Sequence, residues 1–133
     1  MRFLHILTAL GGLTYCAVST ASGAAVTAIR EIPGYRCMAL NLNAQQMMDP
    51  SVVVPVLSQP LSTAPQIGIA SSTVAAKDPL NITNGFIEVL FPLGQSGWVI
   101  QSYLRPWQPA AGTSARCKPA WLSNGRLGFN YPN

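Results

Sequence analysis

Residues 84–104, NGFIEVLFPLGQSGWVIQSYL, decide the fold class of this chain. In the first half, Val89 and Phe91 are set against the charged Glu88, and this two-residue period is typical of a strand with one buried face. A proline and two glycines then interrupt the pattern, and a second apolar run, WVIQS, follows. The spacing predicts an antiparallel hairpin whose turn lies in LGQSG.

Further short strands are expected on both sides of this hairpin. The segments CMALNL (37–42), VVVPVLS (52–58) and IGIASSTVAAK (67–77) are apolar or β-branched. Pro55 places the second of them at a sheet edge or a strand break, because proline cannot donate a hydrogen bond to a neighbouring strand. Asn43 and Gln46 have the spacing of a capping box and predict one helical turn between the first two segments.

The remaining segments are too short or too polar for long helices. Residues 24–36 are expected to form a connector, and YLRPW (103–107) a short helical turn that Pro106 ends. In the tail, WLSNGRLGF (121–129) places Asn124-Gly125 between apolar pairs, which predicts a second hairpin. No segment after the N-terminal run has the ten or so periodic residues of a helix, so the chain is predicted to be all-β.

The motifs of residues 84–104 resemble the second half of a bacterial SH3-like (SH3b) domain. Members of that family share Asn-Gly, an aromatic residue, an alternating strand, a glycine-containing turn, Gly-Trp-aliphatic and a final aromatic-aliphatic pair. VPVLSQP and IGIASSTVAAKDP are similar to the family's earlier strands. The resemblance covers residues 52–107 and implies a small SH3-like β-barrel there. Residues 24–51 would then be a short N-terminal extension, and residues 108–133 a C-terminal tail that contains the hairpin.

The N-terminus has the three parts of a secretory signal peptide. Met1 and Arg2 precede an apolar run, FLHILTALGGLTYCAV, and small residues follow it. The run has about sixteen residues and contains two glycines, whereas a membrane span needs about twenty apolar residues. We therefore expect residues 1–23 to be cleaved, leaving a periplasmic or secreted protein without a stable membrane span.

Two cysteines, Cys37 and Cys117, remain after this cleavage. An even number of cysteines in an exported chain favours a disulfide bond, and closing a loop of about eighty residues stabilises by ~4 kcal/mol. A metal site is not expected, because two cysteines without histidine cannot complete a tetrahedral set of ligands. No cofactor is expected either.

The charged residues argue against two classes of function. Seven basic and four acidic residues remain after cleavage, and they are spread thinly along the chain. A nucleic-acid binder would cluster its lysines and arginines on one face. The only histidine, His5, leaves with the signal peptide, and each of the four carboxylates stands alone in the sequence, so we do not expect an enzyme.

Three aromatic residues are the candidates for binding. Tyr103 corresponds by resemblance to the tyrosine of the final turn in peptide-binding SH3 domains, and Trp107 follows close behind it. Trp98 is expected to fill the core, with contact to a ligand as the alternative. One hypothesis is an exported binding module that contacts a cell-wall peptide or an envelope protein. The other is a structural accessory domain that docks on a partner protein through its C-terminal hairpin, without a small ligand.

Overall fold

The computed structural model describes Cys16 and residues 23–133. The predicted signal peptide, residues 1–23, therefore lies almost entirely outside the described residues. In the described part, no helix has both the length and the apolar character needed to cross a membrane. Regular structure in this part is mainly short antiparallel strands, with 41 % strand against 7 % helix, which confirms the all-β prediction.

Eleven strands and two short helical segments form the described part of the chain. The strands are β1 (Ala28–Glu31), β2 (Tyr35–Leu40), β3 (Pro55–Leu57), β4 (Gln66–Ile69), β5 (Thr73–Lys77), β6 (Ile82–Thr83), β7 (Phe86–Leu90), β8 (Ser96–Ile100), β9 (Leu104–Pro106), β10 (Lys118–Leu122) and β11 (Leu127–Asn130). The helix α1 (Ala44–Met48) precedes β3, and a 3-10 turn, η1 (Gln101–Tyr103), precedes β9.

The larger of the two sheets contains the predicted central hairpin. Its strand order is β4-β3-β8-β7-β5-β2-β9, and β6 pairs with β7 at the side. In the hairpin of β7 and β8, Ile87 lies opposite Val99 and both are buried. This sheet curves around a core of ten buried apolar residues: Met38, Leu40, Val54, Val56, Val74, Ala76, Ile87, Val89, Val99 and Leu104.

The larger sheet does not close into a barrel among the described residues. Its end strands, β4 and β9, do not pair with each other. The join between β3 and β8 is also short, since Leu57 opposite Trp98 is their one paired position. Pro55 explains this shortness, because it lies two residues from Leu57 on the side that faces β8 and has no N–H to donate. The strand-break alternative for Pro55 therefore fits the structure.

Residues 24–51 contribute strands to both sheets, although the sequence suggested a connector and an extension. β2 lies between β5 and β9 in the larger sheet, where Met38 and Leu40 enter the core. β1 belongs to the smaller sheet. The predicted helical turn is present as α1, and Asn43 and Gln46 form the reciprocal bonds of a capping box.

The smaller sheet has the order β1-β10-β11 and packs on the outer surface of the larger one. Its β10–β11 hairpin confirms the prediction for WLSNGRLGF, with Gly125 in the left-handed region at φ +79°. The apolar residues between the two sheets are Ile32, Ala75 and Leu90, with Tyr35, Trp121, Leu127 and Phe129 packed against them. Strands β5 and β7 are therefore buried on both faces.

A disulfide bond joins Cys37 and Cys117, as the sequence predicted. Cys37 lies in β2 opposite Ala75, on the face that the smaller sheet covers. Cys117 directly precedes β10. The bond thus attaches the C-terminal tail to an inner strand of the larger sheet. Disulfides of this kind are typical of oxidising compartments, which fits a periplasmic or extracellular protein.

The segment YLRPW differs from its prediction. The 3-10 turn ends at Tyr103, and Leu104, Arg105 and Pro106 form strand β9 rather than continuing as a helix. Tertiary pairing overrides the local preference here, because Leu104 lies opposite Leu40 of β2 and both side chains are buried in the core.

Candidate functional site

Trp98 lies on the outer face of the larger sheet, so the prediction that it fills the core is wrong. Neighbouring residues of a strand point to opposite faces, and in β8 the buried face belongs to Gly97 and Val99. Trp98 is half-buried between Leu57 of β3 and Glu88 of β7, which lie opposite it. A hypothetical Cβ on Gly97 would lie 2.4 Å from a methyl carbon of Val56, so the inward side of β8 has no room for a larger residue.

Tyr103 occupies the end of η1 and is exposed. Its backbone carbonyl accepts a hydrogen bond of 2.7 Å from the N–H of Asn41, which fixes the turn against the residue that follows β2. The aromatic ring is available to solvent. Tyr103 therefore has a clear structural role through its backbone, and its side chain is free for contact.

Trp107 stacks against a residue of the tail. Its ring centroid lies 5.8 Å from that of Tyr131, with an angle of 31° between the two planes. Among the described residues this is the one aromatic pair, so the three predicted binding aromatics do not stack on one another. Trp107 follows β9 and Tyr131 follows β11, and the pair therefore joins the ends of the two sheets.

A groove of about 390 Å³ runs beside Trp107. We call it the Trp107 groove, and its lining residues are Ala39, Leu40, Met47, Ser72, Thr73, Arg105, Trp107, Gln108 and Pro109. Of the predicted binding residues, Trp107 lines this groove, whereas Trp98 and Tyr103 do not. Its apolar surface includes an indole, a flexible thioether and a proline, and Ser72, Thr73, Arg105 and Gln108 add polar groups, so the groove offers both kinds of contact.

Arg105 carries the only charge in the lining of the groove. Its Nε donates a hydrogen bond of 3.3 Å to the carbonyl oxygen of Leu40, which holds the guanidinium against β2. The terminal nitrogens of a guanidinium held in this way can bind a carboxylate in the plane of the fork. The groove therefore combines the aromatic surface of Trp107 with the positive charge of Arg105.

The edge of β9 beside this groove has no free backbone donor. The N–H of Asn41 donates to the carbonyl oxygen of Tyr103, so the backbone of Tyr103 faces β2. Backbone groups alternate in direction along a strand, and the N–H and C=O positions of Leu104 and Pro106 therefore face away from β2. The N–H of Leu104 donates to Gln101 O, and Pro106 has no N–H. A ligand in the Trp107 groove is therefore held by side chains and not by strand addition to β9.

The four carboxylates of the described residues lie apart from the groove. Asp78 pairs with Arg36 at 2.6 Å, and Glu88 lies 3.5 Å from Lys77. The side-chain hydroxyl and the backbone N–H of Ser51 donate to Asp49 and lower the pKa of that carboxyl below its ordinary value. Asp49, Asp78 and Glu88 thus each have a local partner.

Sequence reasoning missed Met47 and Arg105 as groove residues and Tyr131 as the stacking partner of Trp107. No spacing along the chain relates Tyr131 to Trp107, which lies 24 positions earlier. The signal that could have found it is the cysteine pair, because a bond from Cys117 to β2 brings the tail back to the larger sheet.

Comparisons of the chain with protein-family models, with curated proteins and with solved structures find no match. The geometry of the described residues therefore carries the functional conclusion.

Proposed function

We propose that this chain is an exported binding module with an SH3-like domain at its centre, acting by contact rather than by catalysis. The order of elements from β5 to β9 supports the SH3-like assignment. A strand, a hairpin, a single 3-10 turn and a short final strand follow one another over residues 73–106, and the motifs of the resemblance fall on them in sequence. The disulfide bond supports export.

The ligand that suits the Trp107 groove is an extended peptide of the cell envelope that carries a carboxylate. The observation on which this rests is that Trp107, which is held by stacking against Tyr131, lines a groove that also contains Arg105. The rings offer a flat apolar surface, and the guanidinium offers a partner for the carboxylate. Cell-wall peptides combine short apolar residues with free carboxylates, so they match both features.

A pull-down on purified cell-wall sacculi tests this proposal. Trp107→Ala and Tyr131→Ala should each lower retention about tenfold or more, as truncation of a central aromatic contact does. Tyr103→Ala is the matched control, because this exposed aromatic residue neither lines the groove nor stacks on Trp107, and its retention should equal that of the unmodified protein. Equal retention of all three variants would contradict the proposal.

The alternative is docking on a partner protein beside the C-terminal hairpin. The apolar side chains of the hairpin face inwards, but the neighbouring strand β1 exposes Ile29 at 61 %. Co-purification from a native envelope separates the two candidates. A partner that is lost on Ile29→Lys and kept on Trp107→Ala would favour docking over the groove.

A further inference from the structure

A second cavity meets the Trp107 groove at Thr73, which lines both, and lies where β4 and β11 approach each other. β4 is the end strand of the larger sheet opposite to β9, and β11 is an end strand of the smaller sheet. The cavity measures about 70 Å³, and Ile69 of β4 and Phe129 of β11 both contribute to its wall.

The backbone of Ile69 points away from its own sheet. The N–H of Ala70 donates to Val54 O at 2.8 Å, so Ala70 faces β3. Because successive residues of a strand direct their backbone groups to opposite sides, the N–H and C=O of Ile69 face outwards. Among the described strands β4 pairs with β3 alone, so no strand pairs with this outward side, and Ile69 is 53 % exposed.

Phe129 has the same arrangement in the smaller sheet. The N–H of Leu127 donates to Pro92 O, away from β10, and Phe129 lies two residues further along the same side. Its opposite residue in β10 is Pro119, which has no N–H to exchange. Within the described chain, the backbone groups of Phe129 have no hydrogen-bond partner on that side.

The cavity between these two edges is uncharged and apolar. Ala70, Val74, Phe91 and Leu127 lie in its wall, with hydroxyls from Ser71 and Thr73 at one side. An apolar cavity of about 150 Å³ holds benzene, so this one has room for about three or four carbon atoms. That is the size of a valine or leucine side chain.

The absence of charged residues around β4 indicates which kind of peptide segment would fit the cavity. Residues 51–76, which include β3, β4 and the loops around them, contain no charged residue, although the chain as a whole is basic. A charged segment would leave water here without gaining a partner. Uncharged open edges commonly accept another strand, since natural sheets protect their edges with charges, proline or covering elements.

We infer that the slot formed by Ile69, Phe129 and the cavity between them binds an extended, uncharged segment of another protein, with one valine- or leucine-sized side chain inserted into the cavity. In strand addition of this kind, backbone hydrogen bonds provide affinity and the pocket provides selectivity. The slot meets the Trp107 groove at Thr73, but its edges belong to β4 and β11, and neither proposal depends on the other.

An NMR titration of the full protein with two capped peptides tests the inference. The probe is acetyl-Thr-Val-Thr-Leu-Thr-Val-Thr-amide, and its matched control has alanine in place of leucine. The leucine peptide should shift the amide signals of Ile69 and Phe129, and the alanine peptide should bind about tenfold more weakly or less, because it lacks the carbon atoms that fill the cavity. Equal binding of the two peptides would overturn the inference, as would shifts centred on Trp107.

Two variants of the protein sharpen the test. Ile69→Pro removes the outward N–H, and Ala70→Leu fills the cavity, so each should abolish the difference between the two peptides. Ile29→Lys, an exposed apolar position of β1, should leave that difference unchanged. Shifts at Ile69 that depend on protein concentration without any peptide would identify a second copy of the chain as the occupant and would refute binding of another protein.

Discussion

The two sheets of this molecule are stabilised in different ways. The larger sheet encloses a cluster of ten buried apolar residues, whereas the cluster between it and the smaller sheet has three, Ile32, Ala75 and Leu90. The smaller sheet is also attached through the bond between Cys37 and Cys117. Removal of apolar surface from water stabilises the larger sheet. For the smaller sheet, the disulfide bond contributes strongly by restricting the unfolded chain. The difference teaches that a tail with a small core can depend on one covalent bond.

Removal of the disulfide bond should have the largest effect. The bond spans 80 positions of the chain, and its replacement by serines in Cys37→Ser/Cys117→Ser should lower the free energy of unfolding by about 4 kcal/mol. Chemical denaturation measures the loss, and hydrogen exchange locates it. Exchange should rise more in β10 and β11 than in β7 and β8. An equal rise of hydrogen exchange in the β7–β8 and β10–β11 hairpins would show that the two sheets do not differ in their dependence on the disulfide bond.

Truncation in the core of the larger sheet should come next. Ile87 is almost fully buried, and Ile87→Ala should cost about 3 kcal/mol through lost burial and the cavity left behind. Urea denaturation measures this loss, and here exchange should rise across the whole larger sheet. Ile82→Ala removes the same atoms from an exposed position of β6 and should stay within about 0.5 kcal/mol of the unmodified protein.

A matched pair of glycine substitutions compares how tightly the sheets are packed. A Cβ at Gly97 would lie 2.4 Å from Cγ1 of the buried Val56, whereas one at Gly128 would meet the side-chain end of Leu122 at 2.5 Å. Val56 is β-branched and enclosed, but the partly exposed Leu122 can change rotamer. Gly97→Ala should therefore cost about 1–3 kcal/mol and Gly128→Ala less. A thermal melt of each variant decides this, and the reverse order would show that the smaller sheet is the more rigid one.

The smallest effect concerns a site that touches neither core. Ser51→Ala removes the hydroxyl that donates to Asp49, so the pKa of Asp49 should rise towards its ordinary value in an NMR titration. Because the pKa is lowered in the folded protein, the stabilisation from these bonds is present above the ordinary pKa and is lost as pH falls through the folded value. An unchanged pKa would show that the backbone N–H of Ser51 alone holds the carboxylate.

Much of the fold could be predicted because its signals are local. The β7–β8 and β10–β11 hairpins follow from alternation around turn residues, and α1 follows from the spacing of Asn43 and Gln46. β9 could not be predicted in this way, because Pro106 after an aromatic turn favours a helix end and only pairing with β2 makes the segment extended. The face of the sheet on which Trp98 lies also could not be predicted. Alternation along β8 places Trp98 and Val99 on opposite faces, but only the pairing with neighbouring strands decides which of the two faces is buried.

The candidate site was accessible to sequence reasoning only in part. Trp107 was one of the three aromatic residues predicted to bind, and it does line the groove. Arg105 joins it from the adjoining strand β9 and Met47 from α1, while Tyr131 stacks on it from the residue after β11. Their side chains carry no common motif, because a groove between sheet ends requires no regular spacing along the chain.

The sequence by itself determined the all-β class, both hairpins, the capped helical turn and the pairing of Cys37 with Cys117. These depend on short-range periodicity, on turn chemistry and on the number of cysteines left to pair. Only the tertiary structure decided that β2 is an inner strand, that Trp98 faces outwards and that Tyr131 meets Trp107. The physical reason is that a strand's partners, and hence its buried face, are chosen by packing between segments that are distant in the chain.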